Sequence, residues 1–214
     1  MINSVLNELK LGGPSRLKDY FTENVAFDHQ HGTDTCDWVK ISGFINPPAN
    51  ITHGVQYRAS YTSIINDAFA QAAKILPEAK SFFDIGCGKG KAVIMAALTD
   101  QFNRIVGIEY HQPFIDTAQD NFKKTGTSNI KILNRDASYF TDFDENSIIY
   151  MYNPFDKFIM DKVRRNIEEN TRKAVIAYNK PLHMSVFTNH GWDVQNHFTN
   201  NNEDRDLAIL THGI

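Results

Sequence analysis

The sequence predicts an α/β fold: a doubly wound, mostly parallel seven-stranded sheet with one antiparallel strand and helices on both faces. Short apolar runs and helical patterns alternate from residue 81 to residue 181, and a glycine-rich turn follows the first run. Near the end of the chain, only residues 199–205 separate two further strand patterns. That connection is too short for a helical crossover, so this last pair of strands is expected to be antiparallel.

The first strand and its turn lie in residues 81–98, which read SFFDIGCGKGKAVIMAAL. The apolar run at residues 82–85 is typical of a buried strand, and residues 92–98 predict a buried helix. Between them are three glycines at alternate positions, Gly86, Gly88 and Gly90. A strand, a tight glycine turn and a helix form a unit in which the backbone N–H groups can approach a ligand closely.

Asp84 lies two residues before the first of these glycines, so the motif reads Asp-x-Gly-x-Gly-x-Gly. A carboxylate in the turn would repel a pyrophosphate but would suit a ligand that carries an ammonium and a sulfonium. The motif resembles motif I of the class I S-adenosylmethionine (SAM)-dependent methyltransferases. From the motif alone, a glycine turn without a ligand and a pyrophosphate site with unusual spacing both stay open.

This resemblance implies a Rossmann-like sheet with the strand order 3-2-1-4-5-7-6 and SAM as the cofactor. The resemblance covers residues 57–214, which we expect to form the methyltransferase domain. Residues 1–56 do not follow the strand–helix alternation, and we expect them to form an N-terminal extension or lid.

The implied cofactor site lies at the carboxyl ends of the first three strands. There Asp84 would hold the methionine amino end, and Glu109 would accept hydrogen bonds from the ribose hydroxyls. Asp136 would accept a hydrogen bond from the adenine amino group, and the N–H of Ala137 would donate to the ring. The remaining cofactor-binding candidates are Gly86, Cys87, Gly88 and Gly90. A helix-capping role for Glu109 and an N-cap role for Asp136 remain alternatives.

Asn153-Pro154-Phe155 follows the fourth strand pattern. It is similar to the Asn/Asp-Pro-Pro-aromatic motif of amino-methylating family members, with one proline fewer, and to a shortened motif of non-SET protein lysine methyltransferases. The similarity implies catalytic roles: Asn153 and the Pro154 carbonyl accept hydrogen bonds from the target amino group, and Phe155 packs beside it. The implied function is N-methyl transfer to an amine or amide of a protein, lysine-like, or of a small molecule.

Two other functions are compatible with the sequence. A NAD(P)-dependent oxidoreductase uses the same fold class, although Asp84 and the glycine spacing count against it. A non-catalytic SAM-binding module is the second, and the intact Asn153-Pro154-Phe155 counts against it. That tripeptide can also be a strand-ending turn with a packed phenylalanine.

The N-terminal region gives weaker signals. Residues 4–11 predict a helix that ends at Gly12-Gly13-Pro14, and residues 27–35 are polar and turn-rich. A polar surface loop, a lid and a metal site are all compatible with the second stretch. Its acids and histidines match no firm ligand spacing, so we expect no metal; they are Asp28, His29, His31 and Asp34.

The next stretch carries a strand pattern, a break and a long helical pattern. Trp38 to Ile45 predicts one short strand, and Pro47-Pro48 breaks it. The apolar periodicity from Tyr57 to Leu76 predicts one helix, which Pro77 ends. We expect Tyr57 to serve in packing rather than in ligand contact.

The composition of the chain indicates which class of acceptor and which cellular compartment to expect. The net charge is −3 and no dense basic block occurs, so we expect a protein or small-molecule acceptor in preference to nucleic acid. We expect Cys36 and Cys87 not to form a disulfide, which fits a reducing cytoplasm. No apolar run is long enough for a membrane span, and the first residues lack the features of a signal peptide. We therefore attribute the sequon Asn50-Ile51-Thr52 to chance.

Overall fold

The computed structural model describes residues 2–40, 42 and 53–214. The helices are α1 (Ile2–Asp19), α2 (Ala26–His31), α3 (Thr62–Ile75), α4 (Lys91–Leu98), α5 (Gln112–Thr125), α6 (Lys157–Asn170) and α7 (Ser185–Thr188). The strands are β1 (Trp38–Val39), β2 (Tyr57–Arg58), β3 (Ser81–Ile85), β4 (Arg104–Glu109), β5 (Ile130–Asn134), β6 (Asn146–Tyr152), β7 (Lys173–Asn179), β8 (Asp193–Phe198) and β9 (Leu207–His212). A π-helix (Tyr20–Val25) joins α1 to α2, and 3-10 turns occupy Ala137–Tyr139 and Glu203–Arg205.

The main sheet has the strand order β5-β4-β3-β6-β7-β9-β8. Numbered from β3, this order is 3-2-1-4-5-7-6, which confirms the predicted fold class. β9 runs antiparallel to both of its neighbours, and the other neighbouring strands pair in parallel. The registers Asp84↔Gly107 and Glu109↔Asn134 bring the carboxyl ends of β3, β4 and β5 to one edge of the sheet. The candidate residues that follow these strands therefore meet at that edge.

The core has two layers, one on each face of the sheet. Alternate residues of a strand point to opposite faces, so Phe82 packs under α3 and α4 while Phe83 packs on the opposite, α6 side. Both rings are fully buried. Burial of such side chains contributes roughly 1.5–3 kcal/mol each, and it holds the strand ends that carry the site in a fixed arrangement.

The N-terminal extension is helical where the sequence predicted a loop. Gly12 and Gly13 leave the helical region, as expected, but α1 continues beyond them to Asp19. Residues 27–31 belong to α2, which ends at Gly32 in the left-handed conformation. The buried Asp28 carboxylate organises the residues that follow, because it accepts hydrogen bonds from Thr33, Thr35 and Cys36.

The predicted helix from Tyr57 to Leu76 is wrong at its start. Tyr57 and Arg58 form β2, which pairs antiparallel with β1, and α3 begins only at Thr62. The predicted strand from Trp38 is observed at Trp38–Val39. Most of its remainder, the Pro47-Pro48 break and the sequon at residues 50–52 lie outside the described residues.

Lys91 fastens the extension to the domain. Its ammonium donates to the carbonyl oxygen of Glu23 at 3.1 Å, to Oδ1 of Asn24 at 2.6 Å and to the carbonyl oxygen of Ser60 at 2.8 Å. It also lies 4.9 Å from the centre of the Phe27 ring. Burial lowers the pKa of Lys91 to about 7, although nearby carboxylates oppose the change.

None of the described helices has both the length and the apolar composition needed to cross a membrane.

Candidate active site

The glycine turn joins β3 to α4 in a conformation that a side chain would disturb. Gly86 and Gly88 have φ angles of 78° and 53°, in the left-handed region. A Cβ atom on Gly86 would lie 2.8 Å from Cβ of Pro154, and one on Gly88 would lie 2.3 Å from Cε2 of Tyr57. Gly90 instead permits close packing of α4 on α5, where Phe122 lies. Gly86 and Gly88 thus allow Pro154 and Tyr57 to lie close to the turn on one side, and Gly90 allows α5 to pack closely on the other.

Asp84 and Glu109 lie at the floor of a pocket above this turn. Both are nearly fully buried, at 4% and 8% exposure. Glu109 accepts hydrogen bonds from the backbone N–H groups of Gly88, Tyr110 and His111, at 2.9 to 3.0 Å. Burial nevertheless raises the pKa of Glu109. The sequence-based alternative of an exposed capping acid does not describe this buried side chain.

Asp84 differs from Glu109 in its hydrogen bonding. Among the described residues, none donates a hydrogen bond to its carboxylate, although the side chain faces the pocket. Burial, followed by the proximity of Glu109, raises the pKa of Asp84 well above its usual range. A buried carboxylate without a donor is costly, and a cationic ligand would offset that cost.

The pocket collects most of the predicted cofactor residues and further residues that were not predicted to bind the cofactor. Its volume is about 90 Å³. The predicted residues that line it are Asp84, Gly86, Cys87, Glu109, Ala137, Pro154 and Phe155. Added to these are Gly54, Gln56, Tyr57, Lys91, Arg135, Tyr150 and Tyr152, among others. Gly88 and Gly90 do not line it, and the ring of Tyr57 lies directly over Gly88.

Asp136 has the geometry of the N-cap alternative. Its Oδ1 accepts a hydrogen bond from the N–H of Ser138 at 2.8 Å, at the start of the 3-10 turn Ala137–Tyr139. Ala137 lines the pocket, whereas Asp136 is not among the lining residues. The capping bond places Ala137 beside the pocket, and an adenine-binding role for Asp136 stays a prediction.

The Asn153-Pro154-Phe155 turn lies beside the same pocket. Asn153 is buried and has a φ of 35°, a strained value for a residue with a side chain. Its backbone N–H donates to the carbonyl oxygen of Asn179, and its Oδ1 accepts from the hydroxyl of Tyr178 at 3.2 Å. Pro154 and Phe155 line the pocket itself. Asn153 lines an adjacent groove, so the tripeptide separates the two spaces.

Residues 53–58, here called the strap, cross over the pocket. Gly54 forms a bridge with Phe155, and Nδ1 of His53 lies 2.6 Å from Oδ2 of Asp156. Further along the strap, the hydroxyl of Tyr57 donates to the carbonyl oxygen of Thr35 at 2.8 Å. Sequence reasoning did not predict the contacts of His53 and Gly54, since these join segments about 100 residues apart. The family resemblance does imply that Gln56-Tyr57-Arg58, at the start of the predicted helix, lies near the methionine end of the cofactor.

Neither cysteine has the surroundings of a reactive thiol. Both are buried and free. Burial raises the pKa of Cys36 to about 11, and burial followed by the charges of Asp84 and Glu109 raises that of Cys87. The sulfur of Cys87 packs against Gly107, where an added Cβ would lie 2.7 Å from it.

The residues considered for a metal do not form a ligand cluster. Within residues 2–40, 42 and 53–214, no group of three or more histidine, cysteine or acidic side chains could hold an ion. Asp34 and Asp37 instead bind the ammonium of Lys89, at 3.0 Å and 2.7 Å.

Part of the chain is similar in sequence to known methyltransferases. Residues 78–166 match a protein family described as a putative methyltransferase. A tRNA/tmRNA (uracil-C(5))-methyltransferase of Shewanella piezotolerans is 30% identical over 115 residues, which cover 50% of this chain and 31% of that protein. The Aliivibrio fischeri protein with the same description is 28% identical over 113 residues, covering 48% and 30%. The match thus spans about a third of the length of these relatives.

Solved structures share the fold at low sequence identity. A putative RNA methyltransferase of Pyrococcus horikoshii has a TM-score of 0.57 at 18% identity, covering 80% of this chain and 90% of that one. A precorrin-6y C5,15-methyltransferase of Geobacter metallireducens has a TM-score of 0.56 at 14% identity, covering 79% and 93%. A mutant of MtNAS in complex with S-adenosylmethionine has a TM-score of 0.55 at 10% identity, covering 70% and 62%. Residues 78–166 of the chain thus resemble a methyltransferase family, and the chain shares its fold with these solved methyltransferase structures.

Proposed function

We propose that this chain binds SAM and transfers its methyl group to a nitrogen atom of an acceptor held beside Asn153. The observation that carries the proposal is the buried carboxylate of Asp84, which lies under a glycine cradle without a hydrogen-bond donor among the described residues. A ligand with an ammonium and a sulfonium stabilises the ionised form of Asp84, whereas a diphosphate would be repelled by the ionised forms of Asp84 and Glu109. The same charges count against a nicotinamide dinucleotide.

The residues of the pocket fit the cofactor. Gly86 lines the pocket, where a ligand can approach its backbone, and the lack of a side chain on Gly88 leaves room that the Tyr57 ring occupies in this structure. Glu109 Oε2 accepts one N–H and has capacity left for a ribose hydroxyl. When bound, SAM supplies a methyl group already activated on a sulfonium. The likeness to a structure solved with SAM supports this choice.

The pocket must widen to admit the cofactor. Its volume of about 90 Å³ is well below the range of about 300–1,000 Å³ that is usual for ligand sites. The ring of Tyr57 lies over Gly88 and is carried by the strap, so outward movement of Tyr57 is the smallest change that opens the space. We therefore propose that residues 1–56 act as a lid over the pocket. Tyr57, the first residue of the following domain (residues 57–214), moves with this lid.

The turn at Asn153 suits an acceptor nitrogen. An acceptor N–H can donate to Oδ1 of Asn153, which keeps a lone pair beyond its bond to Tyr178, and a second can donate to the carbonyl of Pro154. These bonds direct the nitrogen lone pair at the methyl group, and Phe155 excludes water from the pocket. Catalysis by such a site consists mainly of positioning.

The relatives from Shewanella piezotolerans and Aliivibrio fischeri are named as enzymes that methylate carbon 5 of uracil in tRNA and tmRNA. Their names make RNA a candidate acceptor for this chain. Carbon 5 becomes a good nucleophile when another nucleophile adds to carbon 6 of the ring. Cys36 and Cys87 are the only cysteines of the chain, and both are buried with raised pKa values. We therefore favour nitrogen over carbon 5 as the atom that is methylated.

A transfer assay tests the proposal. The purified chain is incubated with SAM carrying a radiolabelled methyl group and with cell-extract fractions of RNA, protein and small molecules. We expect label in one fraction with the wild type and none with Asn153→Ala, while SAM binding by the variant stays unchanged. Equal transfer by the variant would remove the orienting role of Asn153. No transfer to any fraction, despite SAM binding, would favour a non-catalytic binding module.

A further inference from the structure

A groove beside the cofactor pocket is the natural place for the acceptor. Its volume is about 480 Å³, and it opens where β6 and β7 end. It is lined by Lys40, Gly54, Val55, Gln56, Arg58, Tyr152, Asn153, Lys180, Leu182 and Asp204. Half of these residues also line the cofactor pocket, namely Gly54, Val55, Gln56, Arg58 and Tyr152. A molecule in the groove therefore lies next to the cofactor and in reach of Asn153.

Two residues of the groove are held in left-handed backbone conformations. Asn153 has a φ of 35° and Lys180 a φ of 51°, at the ends of neighbouring parallel strands. The N–H of Lys180 donates to the carbonyl of Asp206 at 2.7 Å, and that of Asn153 donates to the carbonyl of Asn179 at 3.1 Å. Strain of this kind persists only where surrounding contacts fix it, and it concentrates at binding and catalytic sites.

The charge that the groove presents is positive. Lys40, Arg58 and Lys180 line it, against the single carboxylate of Asp204. Asp204 is 2% exposed and is already bound by three cations, Arg16, Arg58 and Lys180. Behind the groove, Glu8 pairs with Arg16 and Arg58, so that carboxylate faces away from a ligand. Glu203, which is exposed to solvent, pairs with Lys180 and offsets part of its charge. The exposed Lys40 adds a further positive charge to the groove.

The groove also has a surface for a flat ring. Tyr152 is half-buried between the two spaces, and Leu182 is 58% exposed at the groove. Aromatic side chains next to cations are the usual surface on which proteins stack nucleobases, and this stacking contributes about 1–3 kcal/mol per base. A protonated lysine side chain would meet repulsion from Lys40 and Lys180 before it reached Asn153.

We propose that this groove binds a nucleotide, with its base on Tyr152, a base N–H directed at Asn153, and a phosphate between Lys40 and Lys180. The proposal rests on the proposed methyl transfer and names its acceptor class. Recognition by a local cationic groove is compatible with a net charge of −3 for the whole chain. The nucleotide is either a unit of RNA or a free nucleotide, and both present the same base and phosphate.

The test compares three classes of acceptor and two variants in which a groove charge is reversed or removed. Radiolabelled SAM and the wild-type chain are incubated with total RNA, with a mixture of free ribonucleotides, or with extract protein treated with ribonuclease. We expect label in RNA or in the free nucleotides, and the labelled arm identifies the source. Label confined to the ribonuclease-treated protein would overturn the nucleotide proposal but leave the methyltransferase intact. Absence of both SAM binding and transfer would overturn the proposed function as well.

The variants separate acceptor binding from the transfer step. Lys40→Glu and Lys180→Gln should each raise KM for the nucleotide acceptor about tenfold, with kcat and the Kd for SAM within about twofold of wild type. Lys40 is exposed, so its variant retains the fold even if Lys180→Gln does not. Lys124→Glu, an exposed lysine of α5 outside the groove, is the matched charge control and should leave KM unchanged. Wild-type KM values in Lys40→Glu and Lys180→Gln would contradict the assignment.

Discussion

The hydroxyl of Tyr178 lies 3.2 Å from Oδ1 of Asn153, and this bond ties the end of β6 to the fully buried interior of β7. The same hydroxyl lies 3.4 Å from the N–H of His183, which can donate to it. The Tyr178 hydroxyl thus accepts from His183 and donates to Asn153, which fixes the Asn153 amide with its oxygen as the acceptor. The orientation of the proposed catalytic side chain thus depends on a residue of the neighbouring strand.

Tyr178→Phe should lower kcat about three- to tenfold, because the Asn153 amide becomes free to rotate. SAM affinity should not change. The measurement is a double-mutant cycle of transfer rates: Tyr178→Phe should have no further effect in the Asn153→Ala background. Tyr20→Phe, which removes another buried hydroxyl, one that bonds the carbonyl oxygen of Cys36 and not Asn153, is the control and should retain wild-type kcat. Additive losses in the cycle would show that Tyr178 acts independently of Asn153.

Gly88→Ala should weaken SAM binding by at least about tenfold, since the new methyl group enters the space between the turn and Tyr57. The control is Gly191→Ala. Gly191 also has a positive φ, of 83°, but a Cβ there meets nothing within 4 Å. Both variants carry a left-handed strain of about 1–2 kcal/mol, so the difference between them isolates the close approach. Calorimetric titration with SAM measures the affinities of both variants. Equal affinities would contradict the proposal that SAM approaches the turn closely at Gly88.

Asp84→Asn should weaken SAM binding about tenfold to a hundredfold, because a charge-assisted interaction is lost. It should also make the unliganded protein more stable at pH 8. Burial raises the pKa of Asp84, so the folded state holds a proton that the unfolded state releases, and stability falls as pH rises above the unfolded value. Urea unfolding at pH 8 should show a gain of about 1–2 kcal/mol. Asp116→Asn, on the exposed face of α5, should change neither quantity.

The buried ammonium of Lys91 predicts an opposite dependence on pH. Its pKa of about 7 lies below the value of 10.5 expected for the unfolded chain, so above pH 7 the unfolded state binds more protons. The free energy of unfolding should rise between pH 7 and pH 9.5, by about 1–3 kcal/mol from this group. Lys91→Met should lose that part of the rise, and Lys74→Met, at an exposed site on α3, should keep it. Denaturant titrations at three pH values give the change of the unfolding free energy with pH for the wild type, Lys91→Met and Lys74→Met. The same change in all three proteins would show that Lys91 does not cause it.

The sheet could be predicted because its signals are local. Apolar runs such as residues 82–85 and 147–151 are buried on both faces of the sheet, and each is followed by a helical pattern. The shortness of residues 199–205 was sufficient to predict the antiparallel pair β8 and β9. The acids at the strand ends were found for the same reason, since parallel strands bring consecutive carboxyl ends to one edge.

The pairing of β1 with β2 and the groove could not be predicted because they depend on contacts between segments that are distant in the sequence. Tyr57 and Arg58 have a helical periodicity with the residues that follow, but pairing with Trp38 and Val39 places them in a strand. Residues 27–31 look like a polar loop, yet Asp28 is buried and hydrogen-bonded in α2. The groove joins residues from five separate segments, and no local pattern marks it.

Equilibrium titration of the purified chain with SAM and, separately, with NAD tests the central claim most directly. The buried acids Asp84 and Glu109 predict that SAM binds with a Kd in the micromolar range, about −8 kcal/mol, and that NAD does not bind at the same concentrations. Tight binding of NAD without binding of SAM would contradict the account.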